Sequence, residues 1–177
     1  MSRSVRVIGV PTSAGAFAPG QEQAPAALRA AGLIEALEQA GLVVQDDGDR
    51  ATWRWRPDRE NRRVQNLAKV VEIVRDTAER VAEAADEVTL VLGGDCTVGI
   101  GTVAGHARQA RVGLVYFDLH ADLNVPASVR PGTLDWMGMA HMLAEDGAAS
   151  ELAGVADAVP LLEPAQVVLF AWGAEQA

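Results

Sequence analysis

The sequence predicts an α/β fold, a parallel β-sheet sandwiched between helices, in a single domain over residues 1–177. Three observations predict it. Short apolar runs recur along the 177 residues, longer helix-period segments separate them, and the runs are uninterrupted rather than alternating. Uninterrupted runs belong to strands buried on both faces, as in parallel sheets. A hydrophobic share of 49% is enough to fill one core in a chain of this length, and no repeat or linker divides it.

The elements follow in order. Val5–Val10 is β-branched and closes on Pro11, which predicts a first strand. A Gly/Pro/Ser loop, "TSAGAFAPG", leads to Ala24–Ala40, where Gly32 splits an Ala/Leu/Glu-rich run into two short helices. Leu42–Gln45 reads as a second strand after Gly41. The segment "DDGDRATWRWRPDRE" has no period and reads as a polar connection whose Trp53 and Trp55 pack on the body. Val64, Leu67, Val71, Val74, Ala78, Val81 and Ala85 then recur at 3-4 spacing, the stripe of a long helix that covers a sheet. Val88–Leu92, Val112–Phe117 and Val167–Trp172 are read as further strands, with helices over Gly99–Arg108 and Met137–Glu145.

A net charge of −9 argues against nucleic-acid or anionic-membrane partners and is compatible with a cationic substrate. Cys96 is the only cysteine, so no internal disulfide can form and a reducing cytoplasm is the expected location. The opening "MSRSVRVIGVP" has no stretch of signal-peptide length, and no apolar run approaches the roughly 18 residues of a membrane span.

Ligands of open parallel sheets bind beyond the carboxyl ends of strands. Two such ends carry chemistry: Gly93-Gly94-Asp95-Cys96 and Asp118-Leu119-His120-Ala121-Asp122. If the strands are neighbours, the two groups converge. In extended backbone, residues i, i+2 and i+4 share a face, which predicts Asp118, His120 and Asp122 pointing together into a crevice. Two carboxylates and an imidazole suit a divalent metal. Plainer roles stand beside this one: turn or cap chemistry for the aspartates, a half-buried hydrogen-bonded His120, a core Cys96, and helix capping by Asp95 or Thr97.

"VLGGDCTVGIGTVAGHAR", "VGLVYFDLHADLNVP" and the opening "VIGVPTSAGAFAPGQEQAPAALRAAGLIEAL" together resemble the ureohydrolase (arginase/agmatinase) family, whose hallmarks are G-G-D-H and D-A-H-x-D. The resemblance implies a three-layer α/β/α fold, incomplete at its C-terminal end because the family's later Asp-x-Asp motif has no counterpart here. It implies a manganese-type site in which Asp118, His120 and Asp122 are ligands and Asn124 faces substrate. Cys96 stands where the family has a histidine ligand, and its softer sulfur shifts preference towards zinc or iron. Asp135 falls where arginases carry a proton-shuttling histidine, and the family's S-G-N-L-H-G reads Pro131-Gly132-Thr133-Leu134-Asp135-Trp136. His141, six residues on, is a second candidate for moving the proton.

The implied activity is hydrolysis of a guanidino-type C–N bond by a metal-activated water. Its substrate is a small cationic guanidino compound, and the assembly is a homo-oligomer. The alternative is a non-catalytic arginase-like subunit for binding or assembly. A calcineurin-like phosphoesterase, suggested by Asp118-Leu-His120, is the weakest reading, since the G-D and G-N-H blocks of that family do not occur in these residues.

Overall fold

The structure, a computed structural model, describes residues 4–84 and 87–173. Strand β1 (Ser4–Gly9) lies between β2 (Val43–Asp49) and β3 (Val88–Leu92), all parallel. Helices cover this sheet on both sides. Val5, Val7 and Leu92 pack against Leu33, Ile34 and Leu37 of the short helix α2 (Leu33–Gln39), which follows α1 (Ala24–Ala30). On the opposite face Ile8 and Val10 meet Val81 of α3 (Leu67–Glu83) and Val98 of α4 (Thr97–Ala107).

The apolar stripe forms from Leu67 onward, with Val64 just before the helix; Val71, Val74, Ala78 and Val81 are buried as expected and Val70 joins them, each buried valine contributing roughly 1.5–3 kcal/mol. Ala85, the last residue of the expected stripe, lies outside the described residues. Strand β2 runs four residues beyond its expected end at Gln45, through Asp46–Asp49. The acidic tail stays paired with β1 across a register shift between Val7 and Gly9, and Arg29 holds it at Asp46 (2.7 Å) and Asp49 (2.5 Å) while Arg6 holds Asp47 at 2.6 Å.

A second sheet pairs β4 (Leu114–Phe117) with β5 (Val167–Phe170), again parallel. Leu114, Tyr116, Val167 and Leu169 face the main core. Val115, Phe117, Val168 and Phe170 face outward and are more than half exposed, with Phe117 and Phe170 stacked at 5.1 Å. The expectation of burial on both faces therefore holds for β1 at the centre of the first sheet, not for β2, which has no buried residue, and fails for this second sheet.

Within this parallel, helix-flanked architecture β3 and β4 do not pair among the described residues, so the strands form two sheets. A cleft of about 370 Å³ opens between Val91 and Gly93 on one side and Leu114 and Tyr116 on the other, floored by Val98 and Thr102 of α4. The remaining helices are short: α5 (Gly138–Met142), preceded by a 3-10 turn at Leu134–Met137, and α6 (Ser150–Ala153). The helix expected over Met137–Glu145 thus ends at Met142, where Leu143 and the positive-φ Ala144 turn the chain.

Candidate functional site

The turn after β3 is built by a close approach. A Cβ on Gly94 would lie 1.6 Å from the Thr12 carbonyl oxygen, so only glycine fits beside the loop that follows β1. The Asp95 N–H then donates to that carbonyl at 3.2 Å. The Asp95 side chain is 3% exposed and accepts the Gly15 N–H at 2.9 Å, the Thr97 N–H at 3.1 Å, and the Thr97 hydroxyl. It ties the β1 loop to the start of α4. Burial, followed by the nearby Asp135 charge, raises its pKa to about 7.

Cys96 precedes the first turn of α4. Its backbone N–H donates to Asp135 Oδ1 at 2.5 Å. The other Asp135 oxygen accepts from Gln21 Nε2 at 3.5 Å. Asp135 is 7% exposed, so its carboxylate fixes the Cys96 backbone instead of standing open to a substrate.

Across the cleft, the chain after β4 does not stay extended. Asp118 N–H caps β5 by donating to Phe170 O, the Asp118 carboxylate accepts the His120 N–H at 2.8 Å, and Asp122 adopts a left-handed φ of 49°. This bend overturns the even-spacing argument. Asp118 and Asp122 turn inward, where one oxygen of each comes within 4.8 Å of Cys96 Sγ and of the other. His120 points outward: its side chain is 56% exposed, and Nδ1 lies 3.6 Å from Asp118. Cys96, Asp118 and Asp122 are thus brought together, and His120 stands at the rim.

The cluster's electrostatics favour a cation. Burial, and then the charges of Asp118 and Asp135, raise the Asp122 pKa to about 6, although the Tyr116 hydroxyl donates to it at 2.5 Å. Burial and the carboxylates of Asp135, Asp122 and Asp118 push the Cys96 thiol well above its usual range. Packed acids with a suppressed thiol are the condition a divalent ion relieves, and the sulfur-plus-carboxylate donor set fits one such ion. A pocket of about 530 Å³ opens beside it, lined by His120, Asp122, Leu123, Asn124, Trp136 and Trp172. Asn124 accepts the Ser128 hydroxyl at 3.0 Å, which folds its loop back on itself.

His141 is 1% exposed inside α5. Its Nδ1 lies 2.6 Å from the Met137 carbonyl, and Nε2 accepts the Ala149 N–H at 3.2 Å. Both ring nitrogens are engaged, and burial lowers its pKa. The expected proton carrier is a packing residue whose polar atoms satisfy two loops. Tyr116, Trp136 and Trp172 escaped the sequence reading. Tyr116 left one usable signal, because a buried phenol in an apolar strand needs a hydrogen-bond partner.

The arginase family's sequence profile matches residues 3–160. Human arginase-1 is 32% identical over 171 residues, covering 94% of this chain and 53% of its own length. Arginase from Bacillus caldovelox is 33% identical over 176 residues, covering 95% and 57%. The crystal structure of Bacillus cereus arginase superposes with a TM-score of 0.83 at 31% identity, over 97% of this chain and 58% of that one. The chain spans about half the length of the curated relatives it matches. Among the described residues, no helix is long and apolar enough to cross a membrane.

Proposed function

Because the chain belongs to the arginase family, we propose that it contributes the Cys96–Asp118–Asp122 side of a metal-dependent hydrolase acting on the C–N bond of a guanidino compound. The observation that carries the reading is the meeting of Cys96 Sγ with the Asp118 and Asp122 carboxylates at the edge of a substrate-sized pocket. These three residues would hold one divalent ion, with His120 at the rim outside the cluster. Manganese is the family's ion, and the thiol favours zinc or iron. When bound, such an ion supplies a Lewis acid that acidifies a water.

The chain's own residues do the rest. Asp118 and Asp122 place negative charge beside the pocket, which favours a cationic substrate. The Tyr116 hydroxyl orients Asp122, and Asp135 positions Cys96 through its backbone. Leu123, Trp136 and Trp172 give the pocket its apolar lining, and Asn124 at its rim would contact substrate. Hydrolysis adds water across the guanidino carbon, and the departing amine takes up a proton. The lone thiol suits a reducing, cytoplasmic setting. A homo-oligomer belongs to the same proposal, supported by the bare face of β4 and β5.

The test is elemental analysis of the purified chain and its Asp122→Ala variant after loading with zinc or manganese, followed by assay of urea release from guanidino compounds. One ion per chain, lost in the variant, supports the reading. Equal metal content in both overturns the site, and stoichiometric metal without hydrolysis assigns the chain a binding role.

A further inference from the structure

The arginine-rich stretch "RATWRWRPDRENRR", residues 50–63, holds six of the chain's fifteen basic residues, and the candidate metal site uses none of them. Its folded form is specific. Arg50 pairs with Asp76 and Arg54 with Glu22, while Arg63 donates to the Ala127 carbonyl. Arg59 and Arg62 turn instead to a cavity of about 440 Å³, which Arg130 joins from the far side. Among the described residues these three guanidinium groups have no ion pair. The cavity's one carboxylate, Asp58, is occupied by the Asn61 side chain and the Asn61 and Asn66 backbone N–H groups.

A second, independent feature lies in the same wall. The indole Nε1–H of Trp55 is buried and has no hydrogen-bond partner among the described residues. An orphaned buried donor costs free energy unless something accepts from it. The wall is also rigid. The Trp55 backbone N–H donates to Ser13 Oγ at 2.8 Å, Gln65 N–H to the Gly132 carbonyl at 3.0 Å, and Gln65 Nε2 to the Pro131 carbonyl. A Cβ on Gly132, whose φ is +64°, would strike the Arg62 carbonyl at 2.3 Å, so glycine lets the two walls close.

We propose that this cavity is an oxyanion-binding site, taking a carboxylate or phosphate carried on a flat or apolar body. The guanidinium groups match planar oxyanions in pairs, and Trp55, Phe17, Pro57 and Pro131 supply the apolar lining. Three cations against one carboxylate make this spot electropositive in a chain of net charge −9. Phe17 also stacks on Trp136 at 6.1 Å, so this cavity and the metal-side pocket share a wall.

The experiment titrates the full chain separately with inorganic phosphate and with benzoate, following the four indole N–H resonances by NMR. The expected result is a saturable shift of the Trp55 resonance with at least one probe, while Trp53 and Trp172 stay in place. The probe that saturates at lower concentration identifies the oxyanion. Arg59 and Arg62 are exposed, so Arg59→Ala with Arg62→Ala keeps the circular dichroism spectrum and weakens binding by about tenfold or more. A linear, non-saturating response to both probes, or unchanged affinity in the double variant, overturns the site.

Discussion

Replacing Asp95 with asparagine removes a carboxylate that the fold holds at a pKa of about 7, against an ordinary value of 3.8. A raised carboxyl pKa means the fold prefers the protonated form. The associated stability is complete below the unfolded pKa and is lost as pH rises through the folded one. At pH 8 the ionised Asp95 therefore costs about 4 kcal/mol relative to an acid that titrates normally, and at pH 5 about 2. Asparagine does not titrate. Its amide faces the Gly15 N–H with a donor where an acceptor stood, a fixed penalty of roughly 1–3 kcal/mol that does not vary with pH. Urea unfolding of both chains in chelator from pH 5 to 8 isolates the ionisation. The stability difference between them should shift by about 2 kcal/mol or more in favour of the variant as pH rises. The comparison is needed because His141, held neutral by burial, changes stability in the opposite sense as pH falls through its unfolded value near 6.5, and it does so equally in both chains. A difference that stays constant across the range refutes the buried, charge-opposed Asp95.

Other perturbations test the frame around it. Gly94→Ala forces a Cβ against the Thr12 carbonyl; it should cost about 3 kcal/mol or more in urea unfolding and lower metal uptake by displacing Cys96. Phe117→Lys with Phe170→Lys removes the exposed stack on the second sheet. Light scattering should then show less self-association with the circular dichroism spectrum unchanged, whereas loss of the folded signal would mean that this face supports the fold itself.

The outcome of the sequence reading depended on whether a signal was local. The α3 stripe and the apolar strands were legible because burial of one face imposes a period on neighbouring residues. The paired glycines before Asp95 were legible as a close approach, although the Thr12 carbonyl they accommodate was not. Family membership was legible because two motifs and the opening stretch carry it together, and the profile match over residues 3–160 agrees. The polar end of β2 was missed because its stability comes from Arg6 and Arg29, both far away in sequence.

The amino-acid sequence by itself determined which chemical groups stand at the strand ends: a thiol, three acids and an imidazole. Tertiary structure decided which of them meet. The i, i+2, i+4 rule requires extended backbone, and the chain leaves that region in the bend over Asp118–His120 and again at Asp122, φ 49°, with His120 in solvent and Asp118 and Asp122 near Cys96. His141 looked available in a sequence that shows no partners, yet its carbonyl and amide partners close around it in the core. The separation of β3 from β4, the pairing of Tyr116 with Asp122, and the gathering of Arg59, Arg62 and Arg130 around Trp55 share one physical reason. Each depends on contacts between distant segments, whose geometry is set by how the whole chain packs and leaves no period or motif along it.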